Sequence, residues 1–478
     1  MQLTKKDFDA VVVGSGPNGL AAAITLQQQG LSVLIIEAKK VLGGGLCSAE
    51  LTLPGFIHDV CSAVHPLAVN SPFFSTLPLN NFGLEYIFPP IAAAHPFDDG
   101  SAATLFQSIT QTAETLNDDA EFYTQLMNGF VQDWSWLKEL VLGPFKFPKH
   151  PVDAAKFGYY ALSSANSFAK KYLHNKQSRG FWAGMAAHSI QPLTNLATSG
   201  FALMLLLLAH LKGWPIIKGG SQKLADALVA YFISLGGKIE TGTEIKSLQQ
   251  LPSSHAVLFD VTPKQLLKIA GHKFSSHYQH QLKNYRYGMG VYKIDWALDV
   301  PVPFINEQCR NAGTVHLGNT FEEIALSEKM NAANQHPEKP FVLFVQPSLF
   351  DDTRTPNGKH TAWAYCHVPN GSLKNMTDEI EQQVERFAPG FKERILARHV
   401  MNTNELETYN ANYIGGDING GVQNISQLFT RPALRFSPYK TSAKEIYICS
   451  SSTPPGGGVH GMCGYHAAKK VLKDIFRM

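Results

Sequence analysis

Apolar positions first gather at residues 10–13 (AVVV), an unbroken run between an acidic start and Gly14. A β-branched run bounded by glycine predicts a strand buried on both faces. Helix-forming sequence follows from Leu20 and stops at Gly30, and residues 32–36 (SVLII) form a second apolar run that ends on Glu37. The pattern is strand, turn, helix, strand in fewer than 30 residues. Residues 51–211 are mixed, often helical and rich in Phe, Trp and Tyr. Residues 214–220 predict a strand and turn, 223–235 an amphipathic helix stopped by Gly236-Gly237, and 239–248 and 256–259 further strands. Alternating or β-branched runs at 289–298, 341–345 and 360–367 predict antiparallel strands, while 379–387 and 467–476 read as helices.

The longest apolar run, 201–209 (FALMLLLLA), falls well short of the roughly 20 residues that cross a bilayer. It reads either as a helix buried in the substrate domain, or as a wall of an apolar tunnel or a membrane-dipping helix through which a lipid enters. No transmembrane helix is expected. The first ten residues lead straight into the first strand, so no signal peptide is expected.

Composition narrows the classes. The chain has 478 residues, enough for more than one domain and for a core that buries a cofactor with its substrate. Its 41 Lys and Arg stand against 38 Asp and Glu, a net charge of +3, which excludes a nucleic-acid partner held by bulk charge. Charged residues make up 17%, below the ~25% of ordinary domains, as a deep core or an apolar surface patch would require. The six cysteines are scattered and form no C-x-x-C pair, so a disulfide scaffold, a zinc site and a redox dithiol are not expected, nor any metal. Free thiols in a cytoplasmic fold are the expectation.

Three glycine-rich segments carry the chemistry. Gly14-Ser15-Gly16-Pro17-Asn18-Gly19 lies between the first strand and the helix, the context that a dinucleotide fingerprint demands. Gly14 permits the tight turn, Gly16 lets backbone approach a pyrophosphate, and Gly19 lets helix pack on strand. The helix N-terminus offers N–H groups to the phosphates. Glu37, ending the second strand, is placed to accept hydrogen bonds from a ribose diol. Gly43-Gly44-Gly45 follows six to eight residues beyond Glu37. A nicotinamide domain has no use for this cluster, whereas flavoproteins use one to approach the far side of the FAD diphosphate, so FAD is the expected cofactor. Near the C-terminus a strand, a loop containing Gly456, Gly457, Gly458, Val459, His460 and Gly461, and a helix repeat the theme. Such a loop can offer N–H groups to the N1–C2=O edge of a reduced flavin.

These motifs resemble the phytoene desaturase-related FAD oxidoreductases, which include carotenoid isomerases and retinol saturases. The chain is most similar to the subgroup called pyridine nucleotide-disulfide oxidoreductase domain-containing protein 2. The resemblance runs end to end: Gly14 to Glu37, Leu42-Gly43-Gly44, and the C-terminal signature from Cys449 to Gly461, with subgroup-like stretches at 314–318, 346–348, 352–360, 387–391 and 415–417. It implies a mid-chain FAD segment at 218–245, with Ile245 meeting the adenine. It also places the region of His58 and His65 near the flavin. His65, together with His460 in the C-terminal loop, is therefore a candidate for proton handling. Two residues depart from the family pattern: Ser450 replaces a common glycine and narrows the space beside the flavin, and Gly45 replaces a common arginine. The subgroup's name implies a pyridine nucleotide and a disulfide. The chain has neither a second strand-GxGxxG-helix unit nor paired cysteines, and Gly288-Met-Gly290 lacks the third glycine. The 352–356 stretch reads as a turn with a structural salt bridge.

The fold expected is α/β. A Rossmann-like FAD-binding domain is assembled from 1–90, 215–265 and 425–478, and a substrate domain of mixed or antiparallel sheet plus helices comes from 91–214 and 266–424. The resemblance implies hydride transfer from a hydrophobic, polyene- or lipid-like small molecule to flavin N5, with oxygen or a quinone as electron acceptor and peripheral membrane contact as an option. Redox-neutral double-bond isomerisation by reduced FAD, and a flavin-containing interaction protein without turnover, are the alternatives.

Overall fold

A computed structural model describes residues 5–356 and 358–478; residues 1–4 of the first FAD segment and Asn357 of the 352–360 stretch lie outside the described residues. Its first layer is a five-stranded, all-parallel sheet in the order Ile446–Ile448, Ser254–Phe259, Phe8–Val13, Val33–Ile36, Lys238–Glu240. The strands come from three separated stretches of chain. Successive side chains point to opposite faces of a strand, and here both faces are covered. Ala10, Val12, Ile35 and Leu258 pack against the helices Pro17–Gln27, Gln222–Ser234 and Met462–Val471. Val11, Val13, Leu34 and Phe259 pack against Pro263–Ala270 and Ser276–Lys283. The absence of alternation in AVVV is the consequence of this double cover.

The helix carrying the fingerprint lies backbone-to-backbone on the C-terminal helix. A Cβ added at Gly464 would overlap the Asn18 carbonyl. One edge strand is shorter than its sequence implied. The run at 239–248 is paired only over Lys238–Glu240, and Thr243 to Ile245 turn away to line the cleft described below. The strand at 214–220 is likewise only Ile216–Ile217, paired with Tyr86–Ile87.

The second layer is a seven-stranded mixed sheet in the order Ile395–Met401, Gly290–Leu298, His360–Val368, Val342–Val345, Ala312–Leu317, Ile91–Pro96, Ala102–Leu105. Every neighbouring pair is antiparallel except Ala312–Leu317 beside Ile91–Pro96. One face is closed by the helix Thr377–Phe387 through Ile380, Val384 and Phe387. The other packs on a helical layer that includes Lys176–Ala187 and Thr198–Lys212. The 201–209 run therefore lies in a core helix, with Ala202, Leu203, Leu206, Leu207 and Leu208 buried, and only Leu205 reaches the cleft wall. Among the described residues no helix is long and apolar enough to cross a membrane.

The two layers are fastened by a buried ion cluster. Arg354, without solvent exposure, donates from Nε to Asp351 (2.8 Å), from Nη1 to Asp59 (3.1 Å) and from Nη2 to the Ile217 carbonyl (3.0 Å). Asp59 also accepts from the Ser48 hydroxyl and the Ser221 N–H, both at 2.7 Å, and Asp351 accepts from the Gly219 N–H at 2.7 Å. The salt bridge read at 352–356 is thus one arm of a cluster that joins three chain segments. Removing one partner strands buried charges. Arg354→Met is expected to lower the unfolding free energy by about 3–5 kcal/mol, read as a fall in the urea midpoint. A midpoint equal to that of the unaltered protein would show that the two carboxylates do not depend on the guanidinium.

Candidate dinucleotide and substrate cleft

Gly14 leaves the first strand with φ +103, a conformation that side chains rarely adopt. Pro17 takes the first helical position, where its missing N–H costs no hydrogen bond. A Cβ at Gly19 would overlap the Gly14 carbonyl oxygen, so this glycine serves helix-on-strand contact. Glu37 holds the turn in shape. Its Oε2 accepts from the Ser15 N–H (2.8 Å) and the Ser15 hydroxyl (2.7 Å), and its Oε1 from the Lys39 N–H (3.0 Å).

The second glycine cluster closes on the first. A Cβ at Gly44 would lie 3.0 Å from the Gly16 Cα, so only bare backbone fits there. Gly45 faces the Tyr413 hydroxyl, which a Cβ would meet at 2.8 Å. Gly43 serves packing, since its Cβ would come within 2.7 Å of Ala225 on the helix Gln222–Ser234.

A single cleft of about 690 Å³ opens over these turns. It lies where ligands of parallel sheets bind, outside the carboxyl ends of the strands. Of the residues read from the sequence, Gly14, Ser15, Gly16, Pro17, Asn18 and Glu37 line it, and so do Gly44, Gly45, His65, Ile245, Gly458 and Val459. Gly19, Gly43, Gly457 and His460 are not on its wall. Gly457 packs on Asn419, whose Oδ1 a Cβ would meet at 2.9 Å. An apolar stretch of the wall comes largely from the second layer: Leu205, Trp214, Leu343, Val345, Trp363 and Tyr365.

The two candidate histidines have different surroundings. His460 is buried behind the loop. Its Nδ1 accepts the Met462 N–H at 3.0 Å, its carbonyl accepts the Ser71 hydroxyl at 2.6 Å, and burial pushes its imidazole down to about 4. This geometry makes His460 an anchor of the loop, off the cleft wall, with its Nε2 unpartnered among the described residues. His65 does stand on the cleft wall. The Ser221 hydroxyl donates to the Ser62 carbonyl at 2.5 Å, so it can only accept from His65 Nε2, at 2.8 Å. The Nδ1 lone pair then has no partner among the described residues. Burial pushes this imidazole down to about 4, so near neutrality it has no spare proton to give.

Other wall residues escaped the sequence reading. His188, just after the helix Lys176–Ala187, pairs Nε2 to Nε2 with His316 at 3.0 Å. The partners are 128 residues apart, so no local pattern announces them. Burial pushes His188 down to about 3, and one shared N–H between two neutral rings accounts for the contact. Tyr409 and Tyr413 enter from the segment after the second layer's edge strand, and the Lys39 ammonium lies 3.3 Å from the Tyr409 ring centroid. Asp260 ends the strand beside the fingerprint strand and accepts the Gly19 N–H at 2.9 Å. Its signal was an acidic residue directly after the buried run AVLF, at the sheet edge where ligands bind.

Comparison with known proteins agrees with this architecture. The model of the NAD(P)-binding Rossmann-like domain matches residues 12–75. The chain is 26% identical to the mouse pyridine nucleotide-disulfide oxidoreductase domain-containing protein 2, over 99% of this chain and 95% of that protein. It is 22% identical to a limonene dehydrogenase polypeptide of Castellaniella defragrans, over 98% of this chain and 95% of that one. The crystal structure of an oxidoreductase from Methanosarcina mazei shares the fold, with a TM-score of 0.65 at 15% identity, covering 97% of this chain and 99% of that one. By its motifs and its full-length sequence relationships, the chain is a relative of the phytoene desaturase-related FAD-dependent oxidoreductases.

Proposed function

We propose that this oxidoreductase holds FAD in the cleft and oxidises a hydrophobic, polyene- or lipid-like small molecule. The observation that carries the reading is the continuity of the cleft. One cavity is shared by the glycine turns with Glu37 and by the apolar wall of Leu205, Trp214, Leu343, Val345, Trp363 and Tyr365. The donor set fits FAD. A bare-backbone cradle, Gly16 against Gly44, matches a diphosphate approached from two sides, and the Glu37 carboxylate matches a ribose diol. Ile245 would border the adenine, and the loop at Gly458 and Val459 would border the ring system. FAD held there would supply a two-electron acceptor, N5, for the substrate's hydride, with oxygen or a quinone as the final electron acceptor.

The protein's share is position and polarity. The apolar wall draws a substrate out of water, at roughly 25 cal/mol per Å² of apolar surface covered. His65 and His188 are the imidazoles on the wall, both neutral near neutrality, so the cavity receives the substrate without an adjacent cationic imidazole. The limonene dehydrogenase relative bears, in its name, an apolar terpene of the kind this wall would accommodate.

The purified protein is expected to be yellow and to release FAD, not FMN, on acid precipitation, identified by chromatography. A colourless protein that binds only NAD on titration would overturn the reading. Glu37→Ala is expected to weaken FAD retention by about 1.5–3 kcal/mol through loss of a charge-assisted hydrogen bond, and Glu37→Gln to weaken it less. Flavin occupancy after dialysis checks both, and unchanged occupancy in both would remove Glu37 from the site.

NADH and NADPH are expected to reduce the bound flavin slowly or not at all. The sequence holds one complete dinucleotide fingerprint, and hydride transfer requires two rings held in contact. Anaerobic mixing followed at the flavin absorbance band is the measurement. Rapid, saturable bleaching would reveal a nicotinamide site and contradict the assignment of the cleft to FAD alone.

A further inference from the structure

We propose that Asp260 is a ligand of the dinucleotide diphosphate and meets it as the uncharged acid, so that binding the cofactor takes up a proton. The inference rests on the FAD reading of the cleft and adds a residue and a proton to it.

All three fingerprint glycines pack on Asp260, Gly14 on its Cβ and backbone carbonyl and Gly16 and Gly19 on its carboxyl. A Cβ at Gly14 would lie 3.1 Å from the Asp260 Cβ, and Cβ atoms at Gly16 and Gly19 would lie 2.7 and 3.1 Å from its Oδ2. The glycines therefore make room for a carboxyl as well as for a phosphate. The two carboxyl oxygens are not equivalent. Oδ2 accepts the Gly19 N–H at 2.9 Å. Oδ1 accepts no hydrogen bond from the described residues and is not among the buried unpartnered atoms, and Asp260 lines the same cleft as Gly14 to Asn18. A proton on this carboxyl belongs on Oδ1, the oxygen free to donate into the cleft.

The surroundings favour the acid. Glu37 faces Asp260 from the end of Val33–Ile36 and adds negative charge. Cys449, following the strand Ile446–Ile448, and Cys463, on the helix Met462–Val471, are the other titratable neighbours, and burial pushes both thiols up, so they stay uncharged. No side-chain cation is among the groups that act on it. Burial raises the carboxyl, the Gly19 N–H opposes the rise and Glu37 adds to it, leaving it near 7. A diphosphate brings further negative charge to the same turn. An ionised Asp260 would repel it, whereas the acid form donates its O–H to a phosphate oxygen. The balance is simple: one solvent proton joins the carboxylate, and no covalent bond of the dinucleotide changes.

The sign follows from linkage. Below pH 7 the acid is already present and affinity is at its full value; above it, binding must draw a proton from solvent and affinity falls. With the bound acid stable beyond pH 8, FAD binding is expected to weaken about tenfold from pH 6 to pH 8. Asp260→Asn presents a neutral group that accepts from Gly19 and donates into the cleft without titrating, so its profile should be flat and its affinity at pH 8 higher than that of the wild type. Equilibrium dialysis of the full-length protein against FAD across this range reads both.

FAD binding that is flat with pH in the wild type, or an Asp260→Asn variant that keeps the wild-type slope, would overturn the proposal while leaving the FAD site intact. Failure to bind FAD at every pH would instead overturn the reading of the cleft beneath it. Should the variant not fold, calorimetric titration of partly FAD-depleted wild-type protein at pH 8, in two buffers of different ionisation enthalpy, counts the protons directly. About one proton taken up supports the proposal, and none taken up refutes it.

Discussion

The guanidinium of Arg354 is the contact on which the cleft depends. It sits with no solvent exposure between Asp59 and Asp351, and it caps the Ile217 carbonyl. Asp59 belongs to the hairpin after the second glycine cluster, Ile217 to the strand that returns the chain to the parallel layer, and Asp351 to the loop between two strands of the mixed layer. A cleft between two layers keeps its width only if the layers are fixed to each other. Packing alone is non-directional, whereas a planar fork with three donors in use specifies distance and angle. The hydrogen bonds continue from Asp59 to the Ser221 N–H, and from the Ser221 hydroxyl to His65. The position of His65 on the cleft wall is thus set by the same cluster that holds the layers together.

Burial decides the chemistry of the charged and titratable groups around the cleft. The imidazoles of His65, His188 and His460 are all pushed well below the usual histidine range. A histidine within an apolar wall is, near neutrality, a hydrogen-bonding ring and not a cation. Near the C-terminal glycine loop the buried group is Arg431, which donates to the Tyr285 hydroxyl at 3.0 Å and stands against Gly456, while its Nε and Nη1 have no partner among the described residues. At the fingerprint turn the acidic groups are the half-buried carboxyls of Glu37 and Asp260. The loops that border the cleft therefore carry opposite charges, acid at the fingerprint and base behind the C-terminal loop, and the apolar wall bears neither.

Much of the architecture was legible because it depends on local pattern. AVVV and SVLII lack alternation, and each proves to be a strand covered on both faces; Gly14 to Gly19 carries its turn in the residues themselves. The strand at 239–248 was over-read because β-branched residues continue after the backbone has left the sheet to line the cleft, and propensity does not report that departure. The 201–209 run could not be assigned from composition alone, since an apolar helix looks the same whether it faces lipid or core. Its neighbours decided it.

The residues the sequence concealed are those whose meaning lies in a distant partner. His188 and His316 are ordinary histidines until two elements bring their rings to 3.0 Å. Asp260 is a further case. Its own segment, AVLFDVT, reads as a strand ending at a polar residue. Only the parallel pairing of Ser254–Phe259 with Phe8–Val13 lays Asp260 against Gly14, Gly16 and Gly19, 241 residues away from the Gly19 N–H that its carboxyl accepts. The same pairing revises what the fingerprint means in this chain. Glycines that the motif assigns to turn, phosphate approach and helix packing are also the three positions where a side chain would crowd Asp260, at its Cβ and backbone from Gly14 and at its carboxyl from Gly16 and Gly19. The spacing G-x-G-x-x-G is thus constrained twice, once by the ligand it is shaped to receive and once by the acid beneath it, and replacing any of the three glycines disturbs both.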